Sequence, residues 1–164
     1  MFKYVRGLYN SYLCSVFLCL FLLVGITKAE EQSDFDCLVE AVYWEARNQD
    51  LTSQLAVANV IINRVMLDNF PNTICGVVHE GQMWEGHMVR DACEFSYYCD
   101  GKSESMRESN AILQALEVAD MAMNGSIVAE IERATHYHAS YVYPYWADDM
   151  IFLAQIGHHK FYME

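Results

Sequence analysis

The chain has 164 residues, with ten basic against 22 acidic side chains, a formal net charge of −12, and a composition that is 54% hydrophobic. All the acidic residues but only seven of the basic ones fall in residues 30–164, so that segment carries −15. Such a surface repels phosphate backbones and gains nothing on an anionic membrane, which excludes nucleic acid as a partner and leaves stacking and hydrogen bonding as the means of grip.

Residues 1–29 read as an export signal. Lys3 and Arg6 form a positive n-region, Leu13 to Ile26 is an apolar stretch, and Thr27-Lys28-Ala29 ends on a small residue suited to cleavage. The stretch falls short of the roughly 20 residues that span a bilayer, and an uncleaved signal anchor is the alternative. The expected domains are therefore 1–29, a signal peptide, and 30–164, one compact domain with a core of its own. The expected location is outside the cytoplasm, in the periplasm, the cell envelope or the extracellular space, without stable membrane insertion after cleavage.

Ser33, with Asp36 three residues on, resembles a capping signal for a first helix over about Asp34 to Arg47. Leu38, Val39, Val42, Tyr43 and Ala46 make its apolar face. Thr52 opens a second helix to about Val65, apolar around most of its circumference and so surrounded by neighbours. A short apolar element follows at Ile74 to Val78. From His79 to Gly101 the periodicity fails, and a long irregular loop with a small hairpin is expected, a kind of loop that is usually functional. Ser103 or Ser105 caps a third helix ending near Asn124, with Ile112, Ala115, Leu116, Ala119 and Ala122 facing inward and Gly125 as its stop. Ala134 to Ala139 and Gln155 to Tyr162 read as short strands, joined through an aromatic loop, Tyr141 to Trp146. Helices first and a small sheet later indicate an α+β fold.

Four cysteines remain after the signal: Cys37, Cys75, Cys93 and Cys99. In an exported domain an even number suggests two disulfides, with three pairings open to them. One of these closes a short loop between Cys93 and Cys99 and leaves Cys37 for Cys75.

The stretch Ala41-Val42-Tyr43-Trp44-Glu45-Ala46-Arg47 places one carboxylate after two aromatic residues in an apolar helical run. A carboxyl against aromatic walls is desolvated, its pKa rises, and it can serve as a general acid near neutral pH. Ordinary glycosidases need a second carboxylate. Glu85, Asp91, Glu94 and Asp100 are candidates in the irregular loop, but no spacing forces one of them opposite Glu45.

Six blocks taken together resemble the SleB-type cell wall hydrolases, the catalytic domain of spore cortex-lytic enzymes: AVYWEARNQD, QLAVANVIINRV, FPNTICGVV, CEFSYYCDG, ATHYHASYVYPYW and IGHHKFY. They occur in the family's order over nearly all of residues 36–162. The resemblance implies a mostly helical, lysozyme-like domain with a small β-sheet and a groove for peptidoglycan glycan strands; a monomer without cofactor or metal is expected. It implies cleavage between N-acetylmuramic acid and N-acetylglucosamine, as a lytic transglycosylase, with Glu45 as the single catalytic glutamate. The chain departs from the pattern at Trp44, where glycine is common. Tyr137, His138 and Trp146 are expected to line the groove, with Phe95 and Ser96 shaping its opposite wall; Asp100-Gly101 matches the same loop block and equally suits a simple turn. Arg47 is expected to pair with a carboxylate, His159 to support the site, and His158 to be exposed.

Two other classes compete. His136 and His138 alternate by two and, with His158 or His159, suggest a zinc amidase or peptidase, although no HExxH signature is present. A non-catalytic wall-binding module is the third.

Overall fold

Ser33 caps the first helix, its hydroxyl accepting from the Asp36 N–H at 3.1 Å. The computed structural model describes residues 32–164; the expected export signal lies outside the described residues. Helix α1 runs Asp34–Ala46 and buries the whole anticipated apolar face. Helix α2, Leu51–Val65, is buried on nearly every side from Ser53 to Ile61. Asp50 caps it, since its carboxylate accepts from the Ser53 N–H at 2.8 Å; the expected cap, Thr52, lies inside the helix.

Helix α3 (Ile74–Val78) is held to α1 by the Cys37–Cys75 disulfide and by the Cys75 N–H, which donates to Asp34 at 2.9 Å. The irregular stretch contains the hairpin β1 (Gly81–Trp84) and β2 (His87–Cys93). Its two-residue turn puts both Glu85 and Gly86 at positive φ, 50° and 82°, as a tight hairpin with matching twist requires. A 3₁₀ turn, Ser96–Cys99, follows and is closed onto β2 by the Cys93–Cys99 disulfide.

Helix α4 occupies Ser109–Met123, later than either serine signal placed it. Ser103 and Ser105 bond to each other instead of capping. The amides of Arg107 and Glu108, at the lead-in to the helix, donate to Tyr43 Oη of α1 at 3.2 and 3.3 Å, so a neighbouring ring does the work of a cap. Its inward stripe is Ala111, Ala115, Val118, Ala119 and Ala122; Leu116 is exposed, because the true stripe steps past it to Val118.

The second sheet is three-stranded and antiparallel, β3 (His136–Ala139), β4 (Ile151–Ile156) and β5 (His159–Met163), with β5 in the middle. The last expected strand is thus a hairpin turning at Gly157-His158. Gly157 has φ 54°, and a Cβ there would run into Ser53 and Gln49, so the turn sits directly on the start of α2.

Polar residues of α2 pin what precedes β3. Asn59 Nδ2 donates to Ser126 O at 2.9 Å while its Oδ1 accepts from the Val128 N–H at 2.9 Å. Asn63 Nδ2 donates to Ala134 O at 2.8 Å and Arg64 Nε to Thr135 O at 2.7 Å. Spaced four and five residues apart, these side chains lie on one helical face and fix the backbone entering the strand.

The loop closed by Cys37–Cys75 spans 38 residues and that closed by Cys93–Cys99 spans six. Loop-closure entropy then gives about 4 kcal/mol for the first and about 2 kcal/mol for the second. Replacing Cys37 and Cys75 together by alanine is expected to cost about twice as much in denaturant-unfolding free energy as replacing Cys93 and Cys99.

Candidate active site

Glu45 projects from the last turn of α1 toward the sheet. Tyr137 of β3 donates its hydroxyl to Glu45 Oε2 at 3.1 Å. Glu45 is half-buried, and loss of water around its carboxyl raises its pKa above the ordinary carboxylate value of 4.5, while the bond from Tyr137 works in the opposite direction. The Tyr137 hydroxyl is itself held well above the ordinary phenol range by burial and by the Glu45 charge, so it acts as a donor.

Three residues hold Tyr137 in place. Phe161 and His159 of β5 lie on the same face of the sheet, with ring centres 5.8 and 5.0 Å away. Gln49, in the link between α1 and α2, accepts the His158 N–H through Oε1 at 2.8 Å, which turns its Nε2 to His159 Nδ1 at 3.1 Å. An amide donating to Nδ1 needs a neutral imidazole, and burial together with His158 and His138 lowers the His159 pKa to about 4. His159 is thus neutral and packed against Tyr137, the placement expected of a support, and His158 is exposed. Gln49 was not legible in the sequence; it reads there only as part of a helix break.

The other residues of this turn of α1 face elsewhere. Tyr43 braces α4. Trp44 stacks on Tyr97 at 6.0 Å, and the Arg47 guanidinium lies 4.9 Å over the Trp44 ring while pairing with Glu108 at 3.6 Å. Tyr97 Oη and Trp44 Nε1 are buried without a hydrogen-bond partner among the described residues.

Glu45 opens into a depression of about 290 Å³ whose walls include Trp44, Arg47, Gln49, Tyr141 and His158. Glu45 is the only acid lining it among the described residues. On the other side of Trp44 lies a second depression of about 210 Å³, reaching Tyr97, Asp100 and Ser103. The four candidate second carboxylates are occupied or remote: Asp91 pairs with Arg90, Glu94 with Arg64 and Asp100 with Lys102, while Glu85 sits in the β1–β2 turn. A further depression, about 510 Å³ between the end of α2 and the C-terminus, is lined by Asn63, Met66, Arg133 and Glu164 and does not include Glu45.

Of the residues expected to bind substrate, Tyr137 alone reaches Glu45. Successive residues of a strand point to opposite faces, so His138 turns away. It is buried, with Nε2 bonded to Tyr162 Oη at 2.9 Å and its ring 5.6 Å from Trp146. His138, Trp146 and the buried Phe95 line a different depression, along the outer edge of β3. Ser96 is exposed in the 3₁₀ turn and lines none of these depressions. Among the described residues, no group of three His, Cys, Asp or Glu side chains is gathered closely enough to hold a metal ion.

A sequence model of the family described as Cell Wall Hydrolase matches residues 48–162, beginning just after the helix that carries Glu45. The spore cortex-lytic enzyme of Bacillus cereus is 47% identical over 56 residues, 34% of this chain and 22% of that protein. That of Oceanobacillus iheyensis is 37% identical over 70 residues, 37% of this chain and 25% of that protein. The chain therefore spans about a quarter or less of the length of these relatives. Two solved structures are similar over most of their length. One is the catalytic domain of the germination-specific lytic transglycosylase SleB from Bacillus anthracis, with a TM-score of 0.60 and 27% identity over 84% of this chain and 99% of that one. The other is the catalytic domain of the Bacillus cereus SleB protein, with a TM-score of 0.57 and 28% identity over 80% of this chain and 91% of that one. They share this mixture of helices and small sheets, and with more than half of its residues matched, the chain belongs to the cell wall hydrolase family.

Proposed function

We propose that this domain is an exported lytic transglycosylase that cleaves peptidoglycan glycan strands between N-acetylmuramic acid and N-acetylglucosamine. One observation carries the reading: a single desolvated carboxyl, held by a tyrosine hydroxyl, in a depression that offers no second acid. Export is supported by the two disulfides, which persist in oxidising compartments.

A lone carboxyl suffices when the nucleophile belongs to the substrate. Protonated Glu45 gives its proton to the glycosidic oxygen as the bond from the muramic anomeric carbon breaks, releasing the N-acetylglucosamine 4-hydroxyl. The muramic 6-hydroxyl then closes on the cationic anomeric carbon, and the Glu45 carboxylate takes up the hydroxyl proton. No water enters, the acid ends as it began, and the product is a 1,6-anhydromuramic end. Tyr137 holds the carboxyl through both steps and stabilises its charged form between them. Sugar faces have the exposed ring of Tyr141 against which to stack.

Glu45→Gln keeps size and packing but has no proton to give, so lysis of purified sacculi is expected to fall by at least about 10³-fold. Mass spectrometry of fragments from the unaltered protein is expected to give ends lighter by one water than hydrolysed ones; hydrolysed ends alone would overturn the transglycosylase assignment.

Activity is expected to decline as pH rises through the raised Glu45 pKa. Tyr137→Phe removes a bond that favours the carboxylate, so the alkaline limb of the pH–rate profile moves to higher pH while the rate at the optimum falls about tenfold. A limb that stays in place would mean that the hydroxyl does not act on the acid.

The same raised pKa links to stability. Below the unfolded value Glu45 is neutral in both states and costs nothing; as pH rises through the folded value, an enclosed charge is created and stability is lost. Glu45→Gln is therefore expected to melt above the unaltered protein at pH 7 and to lose that advantage by pH 4 in thermal denaturation.

A further inference from the structure

Tyr137 turns its hydroxyl to Glu45 and its backbone in another direction. β3 is an outer strand, and in antiparallel pairing the residues that bond to the neighbour alternate. The Ser140 N–H donates to His158 O at 2.7 Å, and the register opposes His138 to Lys160 and His136 to Tyr162. The Thr135 N–H, just ahead of the strand, also turns to Tyr162 O at 2.9 Å; within the strand, counting back from the Ser140–His158 bond puts the even-numbered residues toward β5 and the peptide groups of Tyr137 outward. On that edge Thr135 O is taken by Arg64 Nε and Ala139 O by the Val142 N–H, which leaves the N–H and C=O of Tyr137 facing the depression beside it.

That depression holds about 280 Å³, with Glu94, Phe95, Pro144, Trp146 and Arg64 in its walls. Arg64 is the only lysine or arginine that is buried among the described residues, 5% exposed, with its guanidinium 5.2 Å from the Phe70 ring and 5.9 Å from the Phe95 ring. Among the described residues its only carboxylate partner is Glu94, 3.5 Å away and half exposed. A buried cation with one loosely held, solvated counter-ion is under-compensated and favours a second carboxylate. A free amide pair on a strand edge takes an extended peptide by strand addition. A peptide that bears carboxylates satisfies both.

We propose that this edge groove is a peptide subsite for the stem peptide of the muramic sugar whose glycosidic bond meets Glu45. The peptide extends β3 through the N–H and C=O of Tyr137, sets a carboxylate on Arg64 and lays a small side chain against Pro144 and Trp146. The proposal rests on the reading of Glu45 as the glycan-cleaving acid, because Tyr137 joins the two places: its side chain touches the acid and its backbone lines the groove. It makes the domain a reader of peptide-bearing strands.

The unaltered protein is given two substrates made from the same sacculi: strands with stem peptides, and strands from which an amidase has removed them. The subsite predicts kcat/KM at least tenfold lower on the bare strands; equal values overturn it and leave Arg64 as an anchor for Thr135 alone. A second measurement does not depend on cleavage. The tripeptide L-alanyl-D-glutamyl-diaminopimelate, titrated to millimolar concentration into the Glu45→Gln protein, is expected to shift the Tyr137 amide resonance, and the same tripeptide with its carboxylates amidated to leave it in place. An unmoved resonance overturns the subsite. Failure to cleave either strand overturns the reading of Glu45 instead, and the tripeptide titration then decides the subsite by itself.

Discussion

A helix end and a strand meet at one hydroxyl–carboxyl contact, Tyr137 to Glu45, and most of the surrounding architecture serves to keep that contact dry and in register. The acid gains its proton affinity from lost hydration, and the tyrosine returns part of it by favouring the charged form. The two opposing effects hold the carboxyl where it can give up a proton and later accept one. Each requires geometry: desolvation needs closed walls, and the hydrogen bond needs β3 at a fixed depth. Asn59, Asn63 and Arg64 set the path of the chain into β3, Gln49 fixes the turn between β4 and β5, and His159 carries that restraint to the Tyr137 ring.

Much of this was legible in the sequence where burial follows a period. The faces of α1 and α2, the Ser33 cap and the aromatic setting of Glu45 all follow from spacing. Reading failed where a tertiary contact replaced a local one. Tyr43 holds the amides leading into α4, so the serines ahead of that helix, good caps by type, are free to bond each other. Leu116 looks like core by hydrophobicity but lies one position off the stripe. Around the site the segment ATHYHASYVYPYW was expected to act as one wall, whereas the alternation of a strand splits it. Tyr137 goes to the acid, and His138 with Trp146 goes to the other side. Gln49 left no trace, because an amide between two helices looks like any linker residue until its partners, 109 and 110 positions away, are seen.

The polar interior of this small domain is economical. α2 is its most buried element, yet it carries Gln54, Asn59 and Arg64 inward, and each donates to the carbonyl of a segment distant from its own turn of helix or at its capping end. Asn59 and Arg64 specify one path for the irregular backbone between α4 and β3, while Gln54 ties the start of α2 to Gln49 and leaves its Oε1 without a partner among the described residues. Apolar packing alone would leave that path free to slide.

The final turn of α1 makes contacts around its whole circumference: Tyr43 on α4, Trp44 on Tyr97, Glu45 on β3, and Arg47 back across its own aromatic rings. A helix gripped on all sides can neither roll nor advance, so the acid's aim does not change when a ligand arrives. The wall across from this rigid turn is built differently: in the segment following β3, Tyr141 stands 87% exposed at the rim of the Glu45 depression, so a bound strand gains contact there without disturbing the acid.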